Sequence, residues 1–198
     1  MDPRTDAGVI GESLDDPRLF ADVYDRHAGV VFRFLVRRVG RDAADELLGE
    51  TFRIAFERRD TYDVGRANAR PWLYGIATNL VAKHRRKEAR RLRATALLAA
   101  DGTSEALDDR VVEHVDAGRL WPHVVHRITE LPGGERDALL LYVWEELSYD
   151  EIAVALEVPV GTVRSRLNRA RRRMRELMTE RGEQTATTNA AGRSRIAP

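Results

Sequence analysis

Arg164, Ser165, Asn168, Arg169 and Arg172 follow one another at intervals of one, three, one and three residues, which places them on one side of an α-helix. None of them is a nucleophile or an acid–base pair. Their chemistry is hydrogen bonding to nucleic acid: an arginine fork fits guanine O6 and N7, an asparagine amide fits adenine N6 and N7, and a serine hydroxyl suits either base edge. Arg166 adds a further cation. From Val160 to Arg175 there are seven arginines and no acid. A solvated basic face is the ordinary explanation of such a run, so the preceding residues decide the matter.

Those residues form a second, shorter helix. Ser148 and Glu151 have the spacing of a capping box, and Ile152, Ala153 and Leu156 give one apolar side. Pro159 ends that helix, because the residue before a proline avoids helical geometry. A new apolar series, Val163, Leu167, Ala170, Met174 and Leu177, then backs the arginine face. Two helices, a tight turn and a basic second helix make a helix-turn-helix, which reads the major groove of duplex DNA.

A second basic block lies upstream. Asn79 to Arg93 holds seven bases against Glu88 alone, with Lys83, Arg85 and Arg86 near its start. Pro71 suits the first turn of the helix that carries it. Leu73, Ile76, Ala77 and Leu80 form its buried side, and Trp72, Asn79, Lys83 and Arg86 run along another edge. An aromatic, an amide and cations in line suit single-stranded DNA, whose bases stack and whose phosphates need counter-charge. Trp72 serves equally well as a core side chain.

Between the blocks, Asp101 to Asp116 holds six acids against Arg110. The chain's net charge of +1 over 198 residues conceals this segregation. With no cysteine there is no disulfide framework, thiolate zinc site or cysteine nucleophile. No apolar run approaches membrane-spanning length and no signal peptide is evident, so a cytoplasmic protein without membrane insertion is expected. Helical periodicity starts near Arg18 and strand-like alternation is missing. The expectation is an all-α fold of two small helical domains joined by a flexible acidic linker. Residues 1–17 read as a flexible tail, 18–93 as the first domain, 94–116 as the linker, 117–181 as the second domain and 182–198 as a disordered tail. Within them, helices are expected over Asp42–Arg58, Pro71 to about Arg93, Ala117–Thr129, Glu135–Trp144 and Ser148–Glu157, with a loop over Asp60–Arg70.

Three segments in this order, Asp45-Glu46-Leu47-Leu48-Gly49-Glu50-Thr51-Phe52, Trp72-Leu73-Tyr74-Gly75-Ile76-Ala77-Thr78-Asn79, and Leu147-Ser148-Tyr149-Asp150-Glu151-Ile152-Ala153 with Val160-Gly161-Thr162-Val163-Arg164-Ser165-Arg166, resemble bacterial RNA polymerase sigma factors. The resemblance is to the sigma-70 family and its short extracytoplasmic-function (ECF) group, and it covers about 18–93 (sigma-2) and 117–181 (sigma-4). It implies a transcription initiation factor with no cofactor, metal or catalytic residue of its own. Asp45, Glu46, Leu48, Glu50, Thr51 and Phe52 would engage core RNA polymerase at the β′ coiled coil, with Asp45, Glu46, Glu50 and Thr51 outward and Phe52 packing. The second domain would meet the β flap. Trp72, Asn79, Lys83, Arg85 and Arg86 would hold the −10 element as single strand, with the Asp60–Arg70 loop completing a base pocket near Asn79. Arg164, Ser165, Arg166, Asn168, Arg169 and Arg172 would read the −35 duplex. The linker would run through the polymerase channels. An anti-sigma factor is an implied partner, and the free chain is expected to be a monomer. Gly49 stands where the family usually has a polar residue, and a mid-helix glycine costs about 1 kcal/mol relative to alanine.

Two other readings use the same residues. A stand-alone, dimeric helix-turn-helix regulator accounts for the C-terminal half and leaves the upstream segments as scaffold. A metal site could draw on His123 and His126, three apart on a helix, but such a pair is more often simple packing.

Overall fold

In the computed structural model the described residues are 5–98 and 127–193, with side chains to 95 and to 178 respectively. Among them every regular element is a helix: α1 (Asp6–Glu12), α2 (Ala21–Val39), α3 (Arg41–Glu57), α4 (Arg70–Leu98), α5 (Gly133–Val143), α6 (Tyr149–Ala155) and α7 (Val160–Arg193), with short 3-10 turns at Pro17–Phe20 and Arg59–Thr61. None of these helices is long and apolar enough to cross a membrane. His123 and His126 lie outside the described residues.

Helices α2, α3 and α4 form the first bundle. Val23, Val31, Phe34 and Leu35 of α2 meet Ala44, Leu47, Phe52 and Ala55 of α3 and Leu73, Tyr74, Ala77 and Val81 of α4 in a common core. Gly40 allows the abrupt turn between α2 and α3: its φ of +79° is costly for any residue with a Cβ. Helices α5, α6 and α7 form the second group around Leu140, Leu141, Ile152, Val163 and Leu167. The capping box starts α6 as expected, with Glu151 N donating to Ser148 Oγ (3.3 Å) and Ser148 N to Glu151 Oε2 (2.8 Å). The turn between α6 and α7 is made earlier than Pro159. Glu157 adopts φ +51° and Val158 N donates to Ala153 O (3.0 Å), which closes α6. Pro159 instead opens α7, its carbonyl accepting from Thr162 N and Val163 N.

The N-terminal residues depart from the expected flexible tail. Thr5 caps α1 by accepting from Gly8 N (3.2 Å), and Ala7, Val9 and Ile10 are buried. Five acids in residues 1–17 mask this short apolar edge in the sequence. Asp6 is buried too, because partners satisfy it: its Oδ2 accepts from Ala69 N (2.9 Å) and lies 2.7 Å from His27 Nε2, while Oδ1 accepts from Arg26 Nη1 (3.2 Å). Two other boundaries shift. Helix α4 continues to Leu98, into the expected linker, and α7 continues to Arg193, through most of the expected disordered tail. Once a helix is nucleated, each added residue gains a hydrogen bond, and no proline interrupts the chain from Val160 until Pro198.

Burial pushes the Asp6 carboxyl upward, but hydrogen bonds from His27 and Ala69, with the nearby cationic groups, bring it down to about 2. A depressed carboxyl stabilises the fold above its unfolded value of 3.8, and that contribution is lost as pH falls toward 2. Acid titration should therefore weaken α1 docking by roughly 2 kcal/mol across that window, and Asp6→Asn should flatten the dependence in stability measurements made from pH 5 to 2. At Gly49 a Cβ would meet nothing within 4 Å. Gly49→Ala should therefore raise unfolding stability by about 1 kcal/mol in denaturant titration.

Candidate nucleic-acid interface

Helix α4 turns one side into the bundle and another toward a groove of roughly 640 Å³. Trp72, Ile76, Asn79, Lys83 and Arg86 line the groove from α4, and Tyr62, Asp63 and Arg66 line it from the preceding loop. Trp72 is half-buried and packs on Tyr62 at a ring distance of 5.0 Å and an interplanar angle of 57°. It therefore belongs both to the core margin and to the groove wall. Asn79, Lys83 and Arg86 are exposed. Arg85 departs from the expected set: it turns to the other side, where Nη2 donates to Arg38 O (2.9 Å). Arg58 and Arg66 line the groove as well. Sequence reasoning missed these two, since neither sits in a basic run; only their place beside the loop could have singled them out.

The loop has internal order. The Tyr62 hydroxyl donates to Arg66 O (2.5 Å), and Asp63 accepts from Gly65 N (3.0 Å) and Arg66 Nε (2.9 Å). Burial raises the Tyr62 hydroxyl to about 12, with the charges of Asp6 and Asp63 adding to the effect, so it stays a donor at physiological pH.

On α7, Arg164 and Asn168 are exposed. Arg172 is also exposed and lies 3.7 Å from Glu176. Ser165 is half-buried and donates to Thr162 O (2.9 Å). The other two depart from an open reading face. Arg166 folds over α5, its guanidinium carbon 3.1 Å from where a Gly134 Cβ would stand. Arg169 is bound at 3.0 Å to Glu135, a buried carboxylate that Arg173 also approaches at 3.2 Å. Spacing gave the helix face correctly, but it could not reveal an acid from another helix.

On α3, Asp45 and Glu46 are exposed, and Leu48 and Glu50 are half-buried, the latter bonded to Arg53 (2.7 and 2.8 Å). Thr51 is not outward: it is fully buried, its hydroxyl donating to Leu47 O (2.6 Å). Phe52 packs edge-on against Tyr24 at 4.8 Å.

The two helical groups meet at this groove. Val154, Ala155 and Glu157 of the second group form its remaining wall. Helices α4 and α6 touch so closely that a Cβ on Gly75 would stand 2.6 Å from Ala155 O. Around this contact, Arg38 pairs with Asp137, Tyr74 donates to the buried Glu145 carboxylate, Arg37 Nη1 reaches Glu145 (3.4 Å), and Arg70 donates to Glu145 O (3.3 Å).

Residues 23–91 match the model described as sigma-70 region 2, and residues 124–174 match sigma-70 region 4. The chain is 30% identical over 172 residues to the ECF RNA polymerase sigma factor SigW of Bacillus subtilis, covering 83% of this chain and 91% of that one. The chain belongs to the ECF sigma factors. It is also 31% identical over 162 residues to the ECF RNA polymerase sigma-E factor of Haemophilus influenzae, covering 79% and 85%. Two solved structures share the fold. One is the sigma factor RpoE with the anti-sigma factor NepR from Bartonella quintana (TM-score 0.60, 23% identity, covering 81% of this chain and 96% of that chain). The other is CnrH with the cytosolic domain of CnrY (TM-score 0.61, 22% identity, covering 88% and 97%). This sigma factor acts in transcription initiation.

Gly75 provides a direct probe of how its two halves pack. Gly75→Ala should force α6 off α4, since the obstacle is backbone and overpacking costs about 1–3 kcal/mol. Small-angle scattering should show a larger radius of gyration with helix content by circular dichroism unchanged. An unaltered radius would place the two halves apart in the wild type already.

Proposed function

We propose that the helices divide promoter-directed initiation among three surfaces. The observation that carries this reading is the groove beside α4, where a Trp72–Tyr62 aromatic pair, the Asn79 amide and the cations Arg58, Arg66, Lys83 and Arg86 converge. Aromatic faces stack on unpaired bases, an amide reads a base edge and cations hold phosphates. That combination suits the non-duplex −10 strand. Arg85 and Thr51 fall away from their assigned roles.

The exposed side of α3, Asp45, Glu46, Leu48 and Glu50, is the surface for the β′ coiled coil of core polymerase. The exposed side of α7, Arg164, Asn168 and Arg172 with Ser165 at its edge, reads the −35 duplex, whose register it also fixes through phosphate contacts. Arg166 and Arg169 lean from the same helix onto α5, at Gly134 and Glu135. An unstacked base can enter the α4 groove only when Val154, Ala155 and Glu157 withdraw. Engagement with promoter and polymerase therefore requires α6 to leave α4. The complex of the Bartonella quintana neighbour with an anti-sigma factor supports such a partner for this chain as well.

The test is promoter-directed transcription with purified core polymerase lacking sigma. The chain should bind core and give transcripts with defined 5′ ends, and a chain that does neither is not acting in this way. Within that assay, Arg164→Ala should cost about 1–3 kcal/mol and relax preference at a single −35 position. Equal weakening on every promoter would reduce Arg164 to a phosphate contact.

A further inference from the structure

Helix α1 and the residue just beyond it touch the loop that completes the groove at both of the loop's ends. At the far end, Asp6 N donates to Ala67 O (3.1 Å), and the Asp6 carboxylate accepts from Ala69 N (2.9 Å). That carboxylate is 9% exposed and is fixed from α2 by His27 Nε2 (2.7 Å) and Arg26 Nη1 (3.2 Å). At the near end, Arg59 donates from Nε to Ser13 O (3.3 Å), just beyond α1, while its guanidinium stacks over Phe56 at 4.1 Å. Between these two ties lie Tyr62, Asp63 and Arg66, which line the groove. Their hydrogen bonds to Arg66 and Gly65 fix the loop's internal shape. The bonds to Asp6 and Ser13 fix where that shape stands relative to the bundle.

We propose that Asp6 is a positioning residue for −10 recognition, holding the 62–69 loop at the distance from Trp72 and Asn79 at which the pocket discriminates between bases. The inference rests on the proposed strand-binding role of the groove and deepens it. Asp6 itself is buried behind the loop, and its hydrogen bonds to Arg26, His27, Ala67 and Ala69 go to residues outside the groove wall. Its effect is therefore on selectivity, because a pocket discriminates only when its walls are held in place by the residues behind them. A loop released at Ala67 and Ala69 still presents Tyr62 for stacking and Arg66 for phosphate, so binding persists while base choice is lost.

The experiment compares wild type, Asp6→Ala, Asp6→Asn and Arg59→Met, each as the full chain reconstituted with core polymerase. Transcription is measured on a consensus promoter, on promoters with single −10 substitutions, and on promoters with single −35 substitutions. Asp6→Ala should shrink the consensus-to-variant ratio at one or two −10 positions by about tenfold and leave the −35 ratios and core affinity unchanged. Asp6→Asn keeps an oxygen for Ala69 N and should recover most of the ratio. Arg59→Met severs the other tie without touching Asp6 and should lower the same ratios, which keeps the inference testable if Asp6→Ala fails to fold. Amide exchange supplies a readout independent of transcription: Ala69 and Arg66 should exchange faster in Asp6→Ala, with α3 and α4 protection retained. Unchanged −10 ratios, or a uniform fall across all promoters, would overturn the proposal. Failure of the wild type to discriminate at −10 would sink the strand-binding reading instead, and the exchange data would still show whether Asp6 holds the loop.

Discussion

Helix α4 has to be two surfaces at once, and the rest of the molecule is arranged around that requirement. Leu73, Tyr74, Ala77 and Val81 are fully buried and hold the first bundle together. Trp72, Ile76, Asn79, Lys83 and Arg86 share the same turns of helix and line the groove. Most helical stability in a folded protein comes from tertiary packing of one face, and α4, with cations along another side, relies on that packing. Helices α2 and α3 supply that packing on one side. The third side, at Gly75, is bare enough for the backbone of α6 to rest on it.

That third contact is built differently from the core. It is apolar only at its centre. Around Gly75 stand Arg37, Arg38, Arg70, Tyr74, Asp137 and Glu145, most of them charged and several buried. Burial and the hydrogen bond to Glu145 push the Tyr74 hydroxyl up to about 12, so it remains a donor to that carboxylate. Arg38 is nearly fully buried, yet its Nε and Nη1 lack hydrogen-bond partners among the described residues. Desolvated charges gain little net stability over apolar packing, because removal from water offsets most of their attraction. What they confer is a single docking geometry. An interface of this kind fixes α6 over the groove in one geometry while adding less net stability than a purely apolar seam.

The parts of this arrangement that the sequence disclosed are those set by local chemistry. Apolar spacing located α2, α3 and the starts of α4 and α7 to within a few residues, and the Ser148–Glu151 pair marked the start of α6, because helix faces and caps depend on neighbours three or four residues away. What escaped depends on distant partners. Asp6 looks like one more tail acid until His27 and Ala69, 21 and 63 residues away, are seen to satisfy it. Thr51 has the polarity of a surface residue, but its hydroxyl can bond to the carbonyl of its own helix and so tolerates burial. Arg85 belongs to a basic run, and only the carbonyl of Arg38 reveals which way it points.

The same distinction governs the seven arginines with which α7 begins. Arg169 and Arg173 meet at a buried carboxylate, Arg171 lies over the Tyr142 ring at 5.1 Å, and Arg166 rests against Gly134. These contacts tie α7 to α5, with one carboxylate shared by two of the arginines. Arg172 is different: its contact with Glu176 is exposed and 3.7 Å long, and pairs of that kind are worth less than about 1 kcal/mol. An approaching phosphate can displace Glu176 readily, whereas displacing Glu135 would strand a buried charge. On the proposed duplex-binding role, counting arginines would overstate the counterions released, since release follows from phosphates newly neutralised. With these neighbours engaged by protein partners, Arg164 stands exposed at the start of α7.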